Sequence, residues 1–202
     1  MENTQRLGLF FDTETTGLPL WKEPSEHPEQ PHIVQLAAEL VDLETREVVD
    51  FMDVIVRPDG WTIPEEMTAI HGITHESALE FGIPEKDAIA RLLELRARSI
   101  LRVAHNKTFD DRIVRIGLKR HFDAAEATDE TSQPSEIWKE GESYCTGQGS
   151  RSACALPAKK MPTLAEAHSI LVGTELEGAH DAMNDTRGCK AVYFALKDRG
   201  AA

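Results

Sequence analysis

The apolar positions change period several times along the chain, and each change predicts an element. Leu7-Gly8-Leu9-Phe10-Phe11 is a short, almost wholly apolar run, the pattern of a buried strand. Gly17-Leu18-Pro19 ends it, and the Pro- and Glu-rich stretch from Pro19 to Pro31 predicts a surface loop. Apolar residues return at Ile33, Leu36, Leu40 and Val41, then alternate with polar ones between Val48 and Val56. With Asp42 to Glu47 as a turn, these two strands are expected to form an antiparallel meander with the first.

Helical spacing takes over further on. Ile63-Pro64-Glu65-Glu66 begins a short helix with Pro near its start, and Pro84 to Arg98 repeats Ile89, Leu92 and Leu93 on one face. Ser99 to Ala104 is the next strand, and Asn106 is expected to cap a helix reaching about Arg120. Residues 123 to 160 are rich in Glu, Ser, Thr, Gly and Pro and predict mainly loop, with a helix inside Ser135 to Glu140. Thr163 with Glu166 three residues on is a capping box for a helix through Leu171. The last helix runs from about Asp181 to Lys197 and stops at Gly200. Early strands followed by interleaved helices predict an α/β fold with a mixed β-sheet flanked by helices. Nothing in the sequence reads as an internal repeat or a linker, so residues 1–202 are expected to be a single domain with irregular insertions at about 19–31 and 123–160.

Composition changes this picture little. Apolar residues make up 41% and charged residues 28% of 202, which is ordinary for a soluble globular chain with a substantial core. No apolar run approaches the roughly 20 residues of a spanning helix, and Met1 to Arg6 has no signal-peptide pattern, so a cytoplasmic location with no membrane is expected. Cys145, Cys154 and Cys189 are odd in number and form no CxxC pair, which argues for reduced packing residues over a disulfide framework or a zinc site. The net charge of -13 argues against a broad nucleic-acid footprint, unless some of the acids are held for divalent cations.

Candidate chemistry lies in acids at positions where a core should not tolerate them. Asp12 and Glu14 are two apart after the first apolar run, so on a strand they project side by side. The alternative is that the strand has already ended and both face solvent. Asp110 shares a helical face with Ile113 and Gly117, while Asp111 is expected to face outward. Near a helix N-terminus the dipole would also favour Asp110. On the last helix Asp185 lies in one stripe with Cys189, Val192 and Leu196, and His180 stands five residues before it. Such a His alone would ordinarily be a cap or a satisfied surface residue. Acids from three separated elements aimed at one apolar interior point together to hard, oxygen-liking ions, Mg²⁺ or Mn²⁺ and not zinc.

Phe11-Asp12-Thr13-Glu14-Thr15-Thr16-Gly17, His105-Asn106 with Phe109-Asp110, and His180-Asp181-Ala182 with Asp185 resemble the three motifs of the DEDDh exonucleases. More narrowly, the chain resembles the proofreading epsilon subunit of bacterial DNA polymerase III and its stand-alone relatives. Ala69-Ile70-His71-Gly72-Ile73-Thr74 and Pro162-Thr163-Leu164 are similar to further segments, so the likeness extends from about Leu7 to Leu196. It implies a ribonuclease-H-like fold and hydrolysis of 3′-terminal phosphodiesters of single-stranded or frayed DNA to nucleoside monophosphates, as used in proofreading, repair and nucleotide salvage. Asp12, Glu14, Asp110 and Asp185 would hold two Mg²⁺ or Mn²⁺, and His180 would be the general base. Thr13, Leu18, His71, Asn106 and Phe109 would meet the substrate. A neutral imidazole is needed to take the proton, so activity is expected to rise from about pH 6 to about pH 8.

Three departures accompany the resemblance. The stretch from Pro19 to Pro31 is longer than a compact member needs. Gln35 stands where many relatives carry an acid, and the chain ends soon after its last helix, so a stable polymerase association is doubtful and a free-standing nuclease is expected. Lys107, Arg112, Arg151, Lys159 and Lys160 are candidate contacts for the strand. A site gripping only the last few nucleotides would bind with modest affinity and low processivity. RNA is an alternative substrate, since the sequence does not show how the 2′-position is read. A non-catalytic binding module or an unrelated acidic metal enzyme such as a phosphatase fits less well, because all five motif residues are present.

Overall fold

A computed structural model describes residues 6–123, 132–156 and 160–200. Among these residues five strands form one sheet in the order β3-β2-β1-β4-β5. The apolar run becomes β1 (Leu7–Thr15), which pairs antiparallel with β2 (Ile33–Asp42), itself antiparallel to β3 (Val48–Ile55). The expected meander is therefore present. On its other edge β1 pairs parallel with β4 (Leu101–Ala104), and β4 with β5 (Glu142–Cys145).

Helices α1 (Glu65–His71), α2 (His75–Phe81) and α3 (Glu85–Ala97) connect β3 to β4, and α4 (Lys107–His121) follows β4. Alternation on β1 divides the interior in two. Leu9 and Phe11 join Ile89, Leu92 and Ile113 from α3 and α4 on one face. Phe10 meets Cys189, Tyr193 and Phe194 of α8 (Ala182–Asp198) on the other, with Tyr193 edge-on at 5.3 Å between ring centroids. Each fully buried Leu or Phe contributes about 1.5–3 kcal/mol. Gly117 lets α4 approach α3, since a Cβ there would sit 2.3 Å from Ile89 Cδ1.

Residues 123 to 160 depart from expectation. Beyond the expected short helix, α5 (Pro134–Ile137), they supply the fifth strand and α6 (Thr146–Ala153), which precede α7 (Leu164–Leu171). Pairing with β4 makes a strand of the four residues Glu142–Cys145, too few to display a period of their own. In α6, Gly149 is a poor helix former required by contact, because a Cβ would lie 2.0 Å from the Tyr144 hydroxyl. This segment also corrects the expectation for Asp111. Trp138 is 1% exposed and its Nε1 donates to Asp111 Oδ1 (2.9 Å), while Lys107 donates to Oδ2 (2.8 Å), so Asp111 is covered on that flank. The helix α2 was also not expected. The cysteines are free, as expected. Among the described residues no helix is long and apolar enough to cross a membrane.

Candidate active site

The strand β1 continues through Thr15, so Asp12 and Glu14 both lie inside it, on the face that carries Phe10 and is covered by α8. Their register partners on β2 are Ala37 and Gln35. Thr13 points the other way and is 5% exposed. Its backbone N–H (3.2 Å) and hydroxyl (2.9 Å) donate to Asp110 Oδ1, which draws the first turn of α4 onto β1. Thr13 thus orients an acid, where a substrate contact was expected.

The third segment arrives on α8. Asp181 caps that helix, its carboxylate accepting from Asn184 N (3.0 Å). Just before it, exposed His180 adopts a left-handed conformation (φ 67°), and its backbone N–H donates to Asp185 Oδ2 (3.3 Å). Glu14, His180 and Asp185 offer ligand atoms all within 4.8 Å of one another.

Electrostatics link all these groups. Burial, then Asp110, Asp185, Glu14 and Asp181, raise Asp12 well above the carboxylate range. Burial, followed by Asp185 and Asp181, pushes Glu14 up to about 8. Asp110 and Asp185 are raised by burial too, partly offset by their hydrogen bonds from Thr13 and His180. Among the described residues the buried Asp185 Oδ1 finds no hydrogen-bond partner. Crowded acids with an unpartnered oxygen fit a divalent ion, which removes both the repulsion and the unmet valence.

His71 ends α1, is 8% exposed, and has its proton affinity lowered by burial and then by the charge of His180, so the two imidazoles are near one another. Its Nδ1 accepts from Ile73 N (3.1 Å), while its buried Nε2 finds no partner among the described residues. Leu18 is 75% exposed just beyond the acids, and Phe109 packs against the α4 side of the core. Asn106 does not cap α4 with its side chain. It sits in the left-handed region (φ 58°), tolerated by Asn, and its carbonyl accepts from Phe109 N (2.8 Å). His105 is held structurally between Thr146 Oγ1 and Pro162 O, both at 2.9 Å.

The described candidate cations each engage a different partner. Lys107 pairs with Asp111, Arg112 donates to the Glu23 carbonyl, Lys160 pairs with Glu166, Arg151 bonds Gln148, and Lys159 lies outside the described residues. Sequence reasoning passed over Asp181 and Gln35 as site residues. For Asp181 the signal was present, an N-cap residue type directly before an apolar helical stripe.

A mixed sheet flanked by helices, with acids of β1, α4 and α8 brought together, is the ribonuclease-H-like exonuclease architecture. Residues 9–193 match the model of the RNase T exonuclease family, and the chain belongs to that exonuclease family. Escherichia coli exonuclease I in complex with a dT13 oligonucleotide is similar with a TM-score of 0.74 and 22% identity over 96% of this chain and 42% of that one. The zinc-ion-bound E. coli exonuclease I–ssDNA complex gives 0.71 and 24% identity over 96% and 41%. A moderately thermophilic exonuclease I from Methylocaldum szegediense gives 0.69 and 23% identity, with the same 96% and 41% coverage. This chain therefore spans about two fifths of the length of those exonuclease I chains. No curated protein sequence is similar enough to register as a match.

Proposed function

We propose that this chain is a 3′→5′ exonuclease domain that removes nucleoside monophosphates from single-stranded or frayed DNA ends. The observation that carries the reading is the convergence of Asp12, Glu14, Asp110 and Asp185 beside His180, with pKa values raised by burial and, at Asp12 and Glu14, by the neighbouring acids. Asp12, Glu14, Asp110 and Asp185 would hold two Mg²⁺ or Mn²⁺. When bound, such a pair lowers the pKa of a bound water and stabilises attacking and leaving oxygens.

The remaining work falls to the side chains. His180, exposed on its turn and tied through its backbone to Asp185, accepts the proton of the attacking water, which requires its neutral form. Thr13 keeps Asp110 turned towards the other acids. Leu18 presents an apolar surface to the terminal base, and His71 lines the cleft beside His180. DNA is favoured as substrate because the similar exonuclease I structures hold DNA oligonucleotides and ssDNA.

Digestion of 3′- and 5′-labelled single-stranded DNA and RNA of matched sequence tests this. With Mg²⁺, mononucleotides are expected from the 3′ end, faster from DNA, and none with chelator. Release that begins at the 5′ end, or persists in chelator, would overturn the proposal, and faster loss of RNA would reassign the substrate.

A further inference from the structure

The first turn of α8 carries Asp185 and follows His180, so its seat on the sheet sets the geometry of both. That seat is built on β2. Three residues on the α8-facing side of β2, spaced two apart, hold successive turns of the helix. Gln35 meets Asp181 and Ala182, the carbonyl of Ala37 accepts from Thr186 Oγ1 (3.4 Å), and Glu39 pairs with Arg187 and Lys190. Ala37 also packs against Ala182 and Met183, and of the three it is Gln35 whose side chain hydrogen-bonds the end of the helix nearest the acids.

Its amide is fully used. Nε2 donates to Asp53 Oδ1 of β3 (2.9 Å) and to Asp181 Oδ2 (3.2 Å), and Oε1 accepts from the backbone N–H of Ala182 (3.0 Å). Gln35 is 5% exposed and stands opposite Glu14 in the β1–β2 register. An amide suits this position where an acid would not. It donates twice and accepts once, whereas a carboxylate could only accept and would add another negative charge among Glu14, Asp53 and Asp181.

We infer that Gln35 is a positioning residue that pins the capped N-terminus of α8 against the sheet, and thereby sets where Asp185 and His180 stand relative to Glu14. The inference rests on the roles proposed above for His180 and Asp185. Its effect runs through Asp181 and Ala182, not through contact with substrate.

The test compares Gln35→Met with Glu39→Gln, which loosens α8 further along. Mn²⁺ affinity without substrate is read by electron paramagnetic resonance, together with kcat, KM and the melting temperature. For Gln35→Met, Mn²⁺ affinity and kcat are each expected to fall about 10–100-fold, as for other partners that orient ligands, with KM for an oligonucleotide nearly unchanged. Glu39→Gln should lower the melting temperature and leave Mn²⁺ affinity and kcat in place. If Gln35→Met folds poorly, the exchange Gln35→Glu with Asp53→Asn serves instead, since the new amide can donate to the new carboxylate; it should recover part of what Gln35→Glu alone loses. Unaltered Mn²⁺ affinity and kcat in Gln35→Met, equal losses in Glu39→Gln, or no recovery in the exchange would overturn the inference. A parent protein that binds Mn²⁺ but releases no nucleotide would sink the exonuclease reading instead, and the Mn²⁺ titrations would still judge Gln35.

Discussion

Glu85 and Glu14 are both buried glutamates beside the start of β2, and the protein treats them in opposite ways. Glu85, 6% exposed, accepts from Ile33 N (3.0 Å), the residue paired with Thr15 next to Glu14. It also meets Arg120 Nη1 (3.0 Å), His121 Nε2 (2.8 Å) and His32 Nδ1 (3.2 Å). Burial alone would raise it, but His121, His32 and Arg120 outweigh burial and hold it well below the carboxylate range. Glu14, 9% exposed, has Asp185 and Asp181 for neighbours and is pushed up to about 8. Burial acts on both in the same direction, so the difference is the supply of countercharge. One acid is a structural strut paired with Arg120 and two imidazoles; the other, on the function proposed above, awaits a cation from outside.

The largest expected effect is at the unneutralised cluster. Asp12→Asn should cut mononucleotide release by more than about a hundredfold, the upper range for residues that only orient metal ligands. Its metal-free melting temperature should hold or rise, because a neutral amide can never ionise among the buried, mutually repelling acids. A variant that melts markedly lower would assign Asp12 the structural role now given to Glu85.

Next comes Glu85→Gln, expected to destabilise folding by roughly 2–3 kcal/mol, below the usual 3–5 for a fully buried pair. The reduction follows from the partners, whose side chains remain 21% (His32), 23% (Arg120) and 25% (His121) exposed. Denaturant unfolding measures it, and nuclease activity below the transition should be retained. Loss of activity with unchanged stability would reverse the contrast.

The smallest effect is the pH dependence of the metal-free protein. Glu14 is raised in the folded state, so the native protein retains a proton between about pH 4.3, the unfolded value, and about 8. The unfolded chain binds fewer protons in that window, so stability falls as pH rises through it. Glu85 has the opposite sign, its contribution being present above about pH 4.3 and lost on acidification. Melting followed in chelator should therefore decline from pH 5 to about 8, by a few degrees, and Mn²⁺ should remove the decline. A flat chelator curve would mean that the acids are neutralised within the protein after all.

Much of this was legible in the residues. The apolar run of β1, period two in β3, period 3.6 in α3, α4 and α8, and the Thr163 capping box each report local geometry, which neighbours in sequence impose. The stripe of Asp185, Cys189, Val192 and Leu196 placed an acid in an apolar face before any contact was known. Elements without a period of their own were illegible. The four-residue β5 exists through its pairing with β4, and glycine-bearing α6 through close packing on Tyr144.

The sequence by itself thus determined which residues could bind hard cations and which faces they would share, because those properties follow from side-chain type and backbone period. Only the tertiary structure decided that Thr13 serves Asp110, that Asp111 is covered by Trp138, and that Gln35 holds Asp181 from 146 residues away. Such choices depend on hydrogen bonds between distant segments, and no local pattern encodes which buried acid the fold will neutralise and which it will leave open.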